Sequence, residues 1–179
     1  MFKPIKTARL VLRAFEPDDA ANFAAYRNHP EVARLQTWES YTLEQAQMLI
    51  AQMQRLQQPT PNQWYQIAVT LEGKLIGDVA FKLQDRQAEI GFSFDPTFQG
   101  QGFAFEAVTA VLEFAFTHLK LHRLHATTDP RNTGSIRLLE KLGFRKEGHL
   151  LENFWFKGAW ADDLLYGLLA REFTAPQIP

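Results

Sequence analysis

The sequence predicts a single α/β (α+β) domain spanning residues 1–179, with a mixed central sheet of about seven strands flanked by about four helices. Three observations predict it. Runs that alternate apolar and polar residues are interleaved with runs whose apolar residues recur every three to four positions. Three strand-like runs in succession are followed by a long helical run and then another strand, a crossover that implies a locally parallel pair among hairpins. The composition, 46% hydrophobic and 22% charged, is that of an ordinary globular chain long enough to bury a large core.

The elements follow in order. Arg9 to Phe15 reads as the first strand. Pro17, Asp18 and Asp19 start a helix, with proline in the first turn and acids at the positive end of the dipole, and the chain Asn28-His29-Pro30 ends it. A second helix starts at Thr42, with Glu44-Gln45 placed for a capping interaction and an apolar stripe of Leu43, Ala46, Ile50 and Met53. Residues 57–62 are a loop by composition. Tyr65 to Leu71 and Leu75 to Leu83 alternate around a Glu72-Gly73 turn. In the next strand Ala88, Ile90, Phe92 and Phe94 share one face, and Glu89, Gly91, Ser93 and Asp95 the other. The long helix, Glu106 to Leu119, carries Val108, Val111, Leu112, Ala115 and Leu119 on one stripe. A strand from His122 to Thr128 leads to a helix from Ser135 to Leu142, closed by Gly143 with Phe144 folded back onto Leu139. Strands from Arg145 to Trp155 and Asp162 to Leu169 flank a Lys157-Gly158 turn.

Bulk properties narrow the function classes. A net charge of −1 supplies no field that would draw the chain to nucleic acid or an anionic membrane. The opening residues lack the apolar core of a signal peptide, and no run reaches the roughly 18 apolar residues of a membrane span, so the expected location is cytoplasmic. Without cysteine there is no disulfide, no Cys-based zinc site and no thiol nucleophile. His122 and His125 face opposite sides of a strand, so no metal is expected. Phe103, Phe105, Phe114 and Phe116 read as core packing.

Two segments carry chemistry. Gln99-Gly100-Gln101-Gly102-Phe103-Ala104 lies at a strand-to-helix junction. Glycines there let the backbone approach a ligand, and the free N–H groups and dipole of the helix start suit a pyrophosphate. The dinucleotide fingerprint fails because Phe105 stands where it needs Gly or Ala, and no Gly-Lys-Ser/Thr of a P-loop is present. The second segment runs from Asn132 to Phe144, with Asn132 placed to cap its helix.

These motifs mark the resemblance. The spacing Gln-x-x-Gly-x-Ala is similar to the acyl-CoA pyrophosphate loop of the GCN5-related N-acetyltransferases, the GNAT superfamily. Asn132-x-x-Ser135-x-x-Leu138-x-Glu140-Lys141-Leu142-Gly143-Phe144 resembles its RimJ/RimL-like branch. So do the opening Thr7 to Arg13, the run Gly143 to Gly148, and Asp162 to Tyr166, so the likeness covers almost the whole chain.

The resemblance implies a sheet whose fourth and fifth strands splay apart so that pantetheine threads the gap. The free backbone groups would be those of Phe92, Ser93 and Phe94; the pyrophosphate would rest on Gln99, Gly100, Gln101, Gly102, Phe103 and Ala104; Asn132 would bond the pantetheine arm; and Ser135 would face the thioester sulfur. The implied activity is transfer of an acetyl group from acetyl-CoA, with no metal, to a primary amine that attacks directly in a ternary complex. This branch points to a protein N-terminal amine, and a homodimer is common in the family. Fourth-strand amides would stabilise the oxyanion. Glu89 and Glu152 are candidate bases acting through water, and Ser135 would hydrogen-bond the departing thiolate. Arg27, Trp38, Glu39 and Trp155 are placed by position as acceptor contacts. A small-molecule acceptor (polyamine, amino acid or aminoglycoside), a non-catalytic acyl-CoA sensor and a nucleotide-binding protein are the alternatives.

Overall fold

The computed structural model describes residues 2–174. Its sheet has eight strands: β1 (Ile5–Lys6), β2 (Leu10–Arg13), β3 (Trp64–Leu71), β4 (Lys74–Gln84), β5 (Gln87–Phe94), β6 (Arg123–Thr128), β7 (Arg145–Phe156) and β8 (Ala159–Leu169). They lie in the order β1-β2-β3-β4-β5-β6-β8-β7. Every neighbouring pair is antiparallel except β5–β6, which the long crossover makes parallel. The expected seven strands become eight because Ile5–Lys6, two residues long and too short to show a period, pairs with Val11 and Leu12. The strands expected as fourth and fifth are therefore β5 and β6.

The helices are α1 (Ala20–Asn28), α2 (Pro30–Ala33), α3 (Leu43–Leu56), α4 (Phe103–Glu113) and α5 (Thr133–Lys141), five rather than four. The additional one, α2, is a single turn. Pro30, which ends α1, is also pre-organised to begin the next helix, and the His29 ring caps it by accepting from the Glu31 amide. In α3 the capping box is formed between Thr42 and Gln45. Its buried stripe is Ala46, Ile50 and Met53; Leu43, at the first helical position, stands 50% exposed, so burial begins one turn later than the pattern predicts.

Helix α4 begins at Phe103, three residues before the predicted start. Left-handed Gly102 is its N-cap, and the first helical bond runs from the Glu106 amide to the Gly102 carbonyl. Val108, Val111 and Leu112 bury its inner face, and Phe114–His118 continue it as one wider π turn. Helix α5 ends in a Schellman motif: Gly143 is left-handed, its amide bonds Glu140, and the Phe144 amide bonds Leu139. The Glu72-Gly73 and Lys157-Gly158 turns have both residues left-handed, the conformation that matches strand twist in two-residue hairpins. No helix among the described residues is long and apolar enough to cross a membrane.

Candidate active site

Strands β5 and β6 pair through three rungs only, Gln87–Arg123, Ala88–Leu124 and Glu89–His125. Beyond them Ile90–Phe94 remain bonded to β4 on their other edge, and Ala126–Thr128 to β8, but not to each other. A wedge opens in the middle of the sheet, and backbone groups along it need a partner that the sheet does not supply. Two cavities of about 550 and 490 Å3 lie on either side, and both reach Phe92, Ser93, Asn132 and Ser135.

The first cavity runs from the wedge to the glycine loop. Asp95 caps a short turn, Pro96–Phe98, and Gln99 follows in extended backbone. The Gln99 amide is spent on the Pro96 carbonyl and its side chain on the Phe94 carbonyl, so Gln99 shapes the loop rather than offering a free donor. Gly100 and Gly102 have φ of 73° and 81°, where a Cβ would be strained. They turn the chain so that the amides of Phe103, Ala104 and Phe105, which precede the first helical bond, open onto the cavity end.

An anchor that sequence reasoning missed holds this loop. Glu106, fully buried in the first turn of α4, accepts from the Thr7 hydroxyl (2.6 Å), the Arg9 amide (2.8 Å) and Arg9 Nε (2.7 Å). Arg9 also donates through Nη1 to the Gln101 carbonyl and lies 4.3 Å from the Phe103 ring centroid. Burial alone would raise the Glu106 carboxyl, but the bonds from Thr7 and Arg9 outweigh it and hold the group below its ordinary value. The resemblance had marked Thr7 and Arg9 as motif residues; their physical role is this clamp. Arg34, Arg137 and Lys141 add positive charge to the same cavity, with Lys141 Nζ 4.4 Å from the Phe105 ring centroid. Arg137 and Lys141 are four apart on α5, a helical spacing that could have revealed them. Phe103 and Phe105 line this cavity as well as packing against the core, more than the core role expected of them.

Asn132 caps α5, its Oδ1 accepting from the Ser135 amide at 3.1 Å. That bond fixes both residues at the junction of the two cavities, facing Phe92 and Ser93 across the wedge.

The second cavity is floored by the sheet and walled by α1, the chain after α2, and the β7–β8 hairpin. Glu89, at the last rung of the wedge, lines it together with Arg27 and Trp38. Arg27 is buried against the rings of Phe23, Trp38 and Tyr41 at 4.2, 4.7 and 5.0 Å from their centroids. It pairs with Asp78 at 3.3 Å, and Tyr26 donates its hydroxyl to the same carboxylate at 2.5 Å. Burial raises the Asp78 carboxyl above its ordinary value, against the pull of Arg27 and Tyr26. Arg131 binds Asp129 at the rim and lowers its carboxyl.

Two acceptor contacts placed by position, and one of the candidate bases, line neither cavity. Glu39 is exposed and lines neither cavity. Trp155 is 62% exposed and packs against Trp160, while its neighbours Phe154 and Phe156 line the second cavity. Glu152 is exposed in the irregular stretch between Leu150 and Phe154, where its amide bonds Asp162 Oδ1. The register shift there resets which residues of β7 face inward, and no periodicity announces it.

The family described as an acetyltransferase (GNAT) domain matches residues 9–145. The N-acetyltransferase p20 of Bacillus licheniformis is 35% identical over 172 residues, covering 94% of this chain and 97% of its own. The GNAT-family acetyltransferase of Bacillus anthracis superposes with a TM-score of 0.85 at 30% identity, over 95% of this chain and all of that one (100%). The ribosomal-protein-S5-alanine acetyltransferase of Vibrio fischeri superposes with a TM-score of 0.82 at 27% identity, over 97% and 100% of the two chains.

Proposed function

The chain belongs to the GNAT family and is an N-acetyltransferase, and from that premise we propose that it moves the acetyl group of acetyl-CoA onto the α-amine of a peptide or protein N-terminus. The observation that carries the reading is the wedge between β5 and β6, with its two cavities meeting over Ser93, Asn132 and Ser135. One cavity ends on helix-start amides and basic side chains, as a pyrophosphate requires; the other ends on carboxylates and aromatic rings, as an amine requires.

In this mechanism pantetheine lies in the wedge against Phe92, Ser93 and Phe94, with its pyrophosphate on the Gly100 to Ala104 turn. The neutral amine attacks the thioester carbon. Amides of β5 stabilise the oxyanion, the C–S bond breaks, and a hydrogen bond from Ser135 supports the departing thiolate. Glu89, inside the acceptor cavity, takes the proton lost by the amine through a water; the exposed position of Glu152 favours it less as base. An α-amine titrates near 8, so a substantial fraction is already neutral at physiological pH and a distant carboxylate suffices. Trp38 and the buried Arg27 shape the acceptor wall.

A second reading, a small polycationic acceptor, draws on the carboxylates of the same cavity. Asp78 and Asp129 are paired with arginines, whereas Asp163 is met by the uncharged Asn153 and, among the described residues, forms no ion pair; Glu89, opposite Lys82 on β4, is the other carboxylate of the cavity. Thiol release from acetyl-CoA with two acceptor pools separates the readings. Turnover with peptides beginning in Ala, Ser or Met is the expected result. Turnover confined to polyamines, amino acids or aminoglycosides would select the second. Silence in both, with acetyl-CoA still raising the melting temperature, would favour a sensor.

A further inference from the structure

Two glycines sit inside the central strands, and packing accounts for only one. A Cβ on Gly77 would lie 2.5 Å from the Phe94 ring and 2.6 Å from the Ser93 carbonyl, so the fold excludes a side chain there. A Cβ on Gly91 would meet nothing within 4 Å, and Gly91 is not left-handed. Neither conformation nor packing calls for glycine at this position, and glycine in a strand interior is destabilising. A ligand that comes close to the backbone is the remaining reason.

The register shows where that ligand would lie. Gln66, Ala80 and Gly91 form one row across β3, β4 and β5, and all three line the second cavity. The row on one side is Ala68, Asp78 and Ser93; the row on the other is Trp64, Lys82 and Glu89. Residues two apart share a face, so Gly91 lies between Ser93, beside the reacting centre, and Glu89. Each step is about 6.6 Å along the strand.

We propose that Gly91, with Ala80 beside it, is the specificity-determining floor of the acceptor site. The side chains missing from this row leave a slot in which the segment bearing the amine lies flat on the sheet, filling the volume that a larger side chain would occupy. The inference rests on the acetyltransfer reading and names the residues that size its acceptor.

The test compares the wild-type chain with Gly91→Ala, Gly91→Val and Ala80→Val. Wild-type turnover with an alanine-first tripeptide is measured first; its absence with every amine tried counts against the acetyltransfer reading, before any variant is compared. The slot is then read by two measurements. In kinetics, KM for the tripeptide rises in the order Gly91→Ala, Gly91→Val, by about tenfold or more for valine, as expected when a slot is overfilled. In binding, which needs no turnover, a thioether conjugate of CoA and the tripeptide raises the wild-type melting temperature more than acetyl-CoA does. That excess disappears in Gly91→Val while the acetyl-CoA shift stays. A conjugate excess retained in Gly91→Val, or never present in the wild type, would overturn the proposal. So would loss of the acetyl-CoA shift together with the excess. If Gly91→Val does not fold, Gly91→Ala and Ala80→Val carry the same comparison.

Discussion

At the scale of single residues, two side chains carry separable tasks. Ser135 is held by its own amide to Asn132 at the meeting point of the cavities, so its backbone is placed there without help from a ligand. Ser135→Ala is expected to lower kcat by about tenfold with little change in acetyl-CoA affinity, the loss of one hydrogen bond to a developing charge. A decrease below threefold would remove Ser135 from the mechanism. Glu106 acts at a distance, by fastening the loop to the opening strand. Its carboxyl is lowered in the folded chain, so its contribution is present above the ordinary carboxylate value of about 4.3 and is lost as pH falls through the lower folded value. Glu106→Gln should therefore be less stable than wild type at pH 7, by about 2–3 kcal/mol, and the gap should close as acid takes the solution below the ordinary carboxylate range. Melting curves across that range check it.

At the scale of elements, the cleft walls come from distant parts of the chain. Lys157, in the hairpin turn between β7 and β8, donates to the Ala33 carbonyl at the end of α2 at 2.8 Å. This bond crosses from one wall of the acceptor cavity to the other. Lys157→Ala is expected to cost about 1 kcal/mol and to raise acceptor KM severalfold, while the acetyl-CoA melting shift is retained. Steady-state kinetics with both substrates varied reads the difference. The hairpin also shows where pattern reading stops. Its turn was legible from Lys157-Gly158 because left-handed backbone has a residue signature. The register shifts in β7 have none, and with them Phe154 and Phe156 line the cavity while Trp155 stands outside.

At the scale of the whole molecule, the site exists because a sheet is interrupted. The crossover through α4 sets β6 parallel to β5, three rungs hold the two together, and the rest of their length parts. A ligand that fills the gap can bind only the folded chain, so it stabilises the native state by mass action. Acetyl-CoA at 100 times its Kd is expected to add about 2.7 kcal/mol to the unfolding free energy, and ATP or NAD none. Calorimetry with the three ligands in parallel tests this, and stabilisation by ATP or NAD alone would reverse the reading of the glycine loop.

The sequence by itself determined the alternation of elements, the caps at Thr42, Asn132 and Gly143, and the glycine loop at Gln99 to Ala104, because each depends on residues within a few positions of one another. Splaying of the strands was available only through the resemblance, since nothing in the spacing of Ala88 to Asp95 says where pairing with a strand some thirty-six residues later will cease. The tertiary structure alone decided the contacts that join far-apart segments. Among these are Thr7 and Arg9 on Glu106, Arg27 on Asp78, Lys157 on Ala33, and the row Gln66-Ala80-Gly91 that floors the acceptor cavity. Local order follows from short-range sterics and hydrogen bonding, which a sequence displays; a cavity is made where surfaces from many elements fail to meet, and that depends on how the whole chain packs.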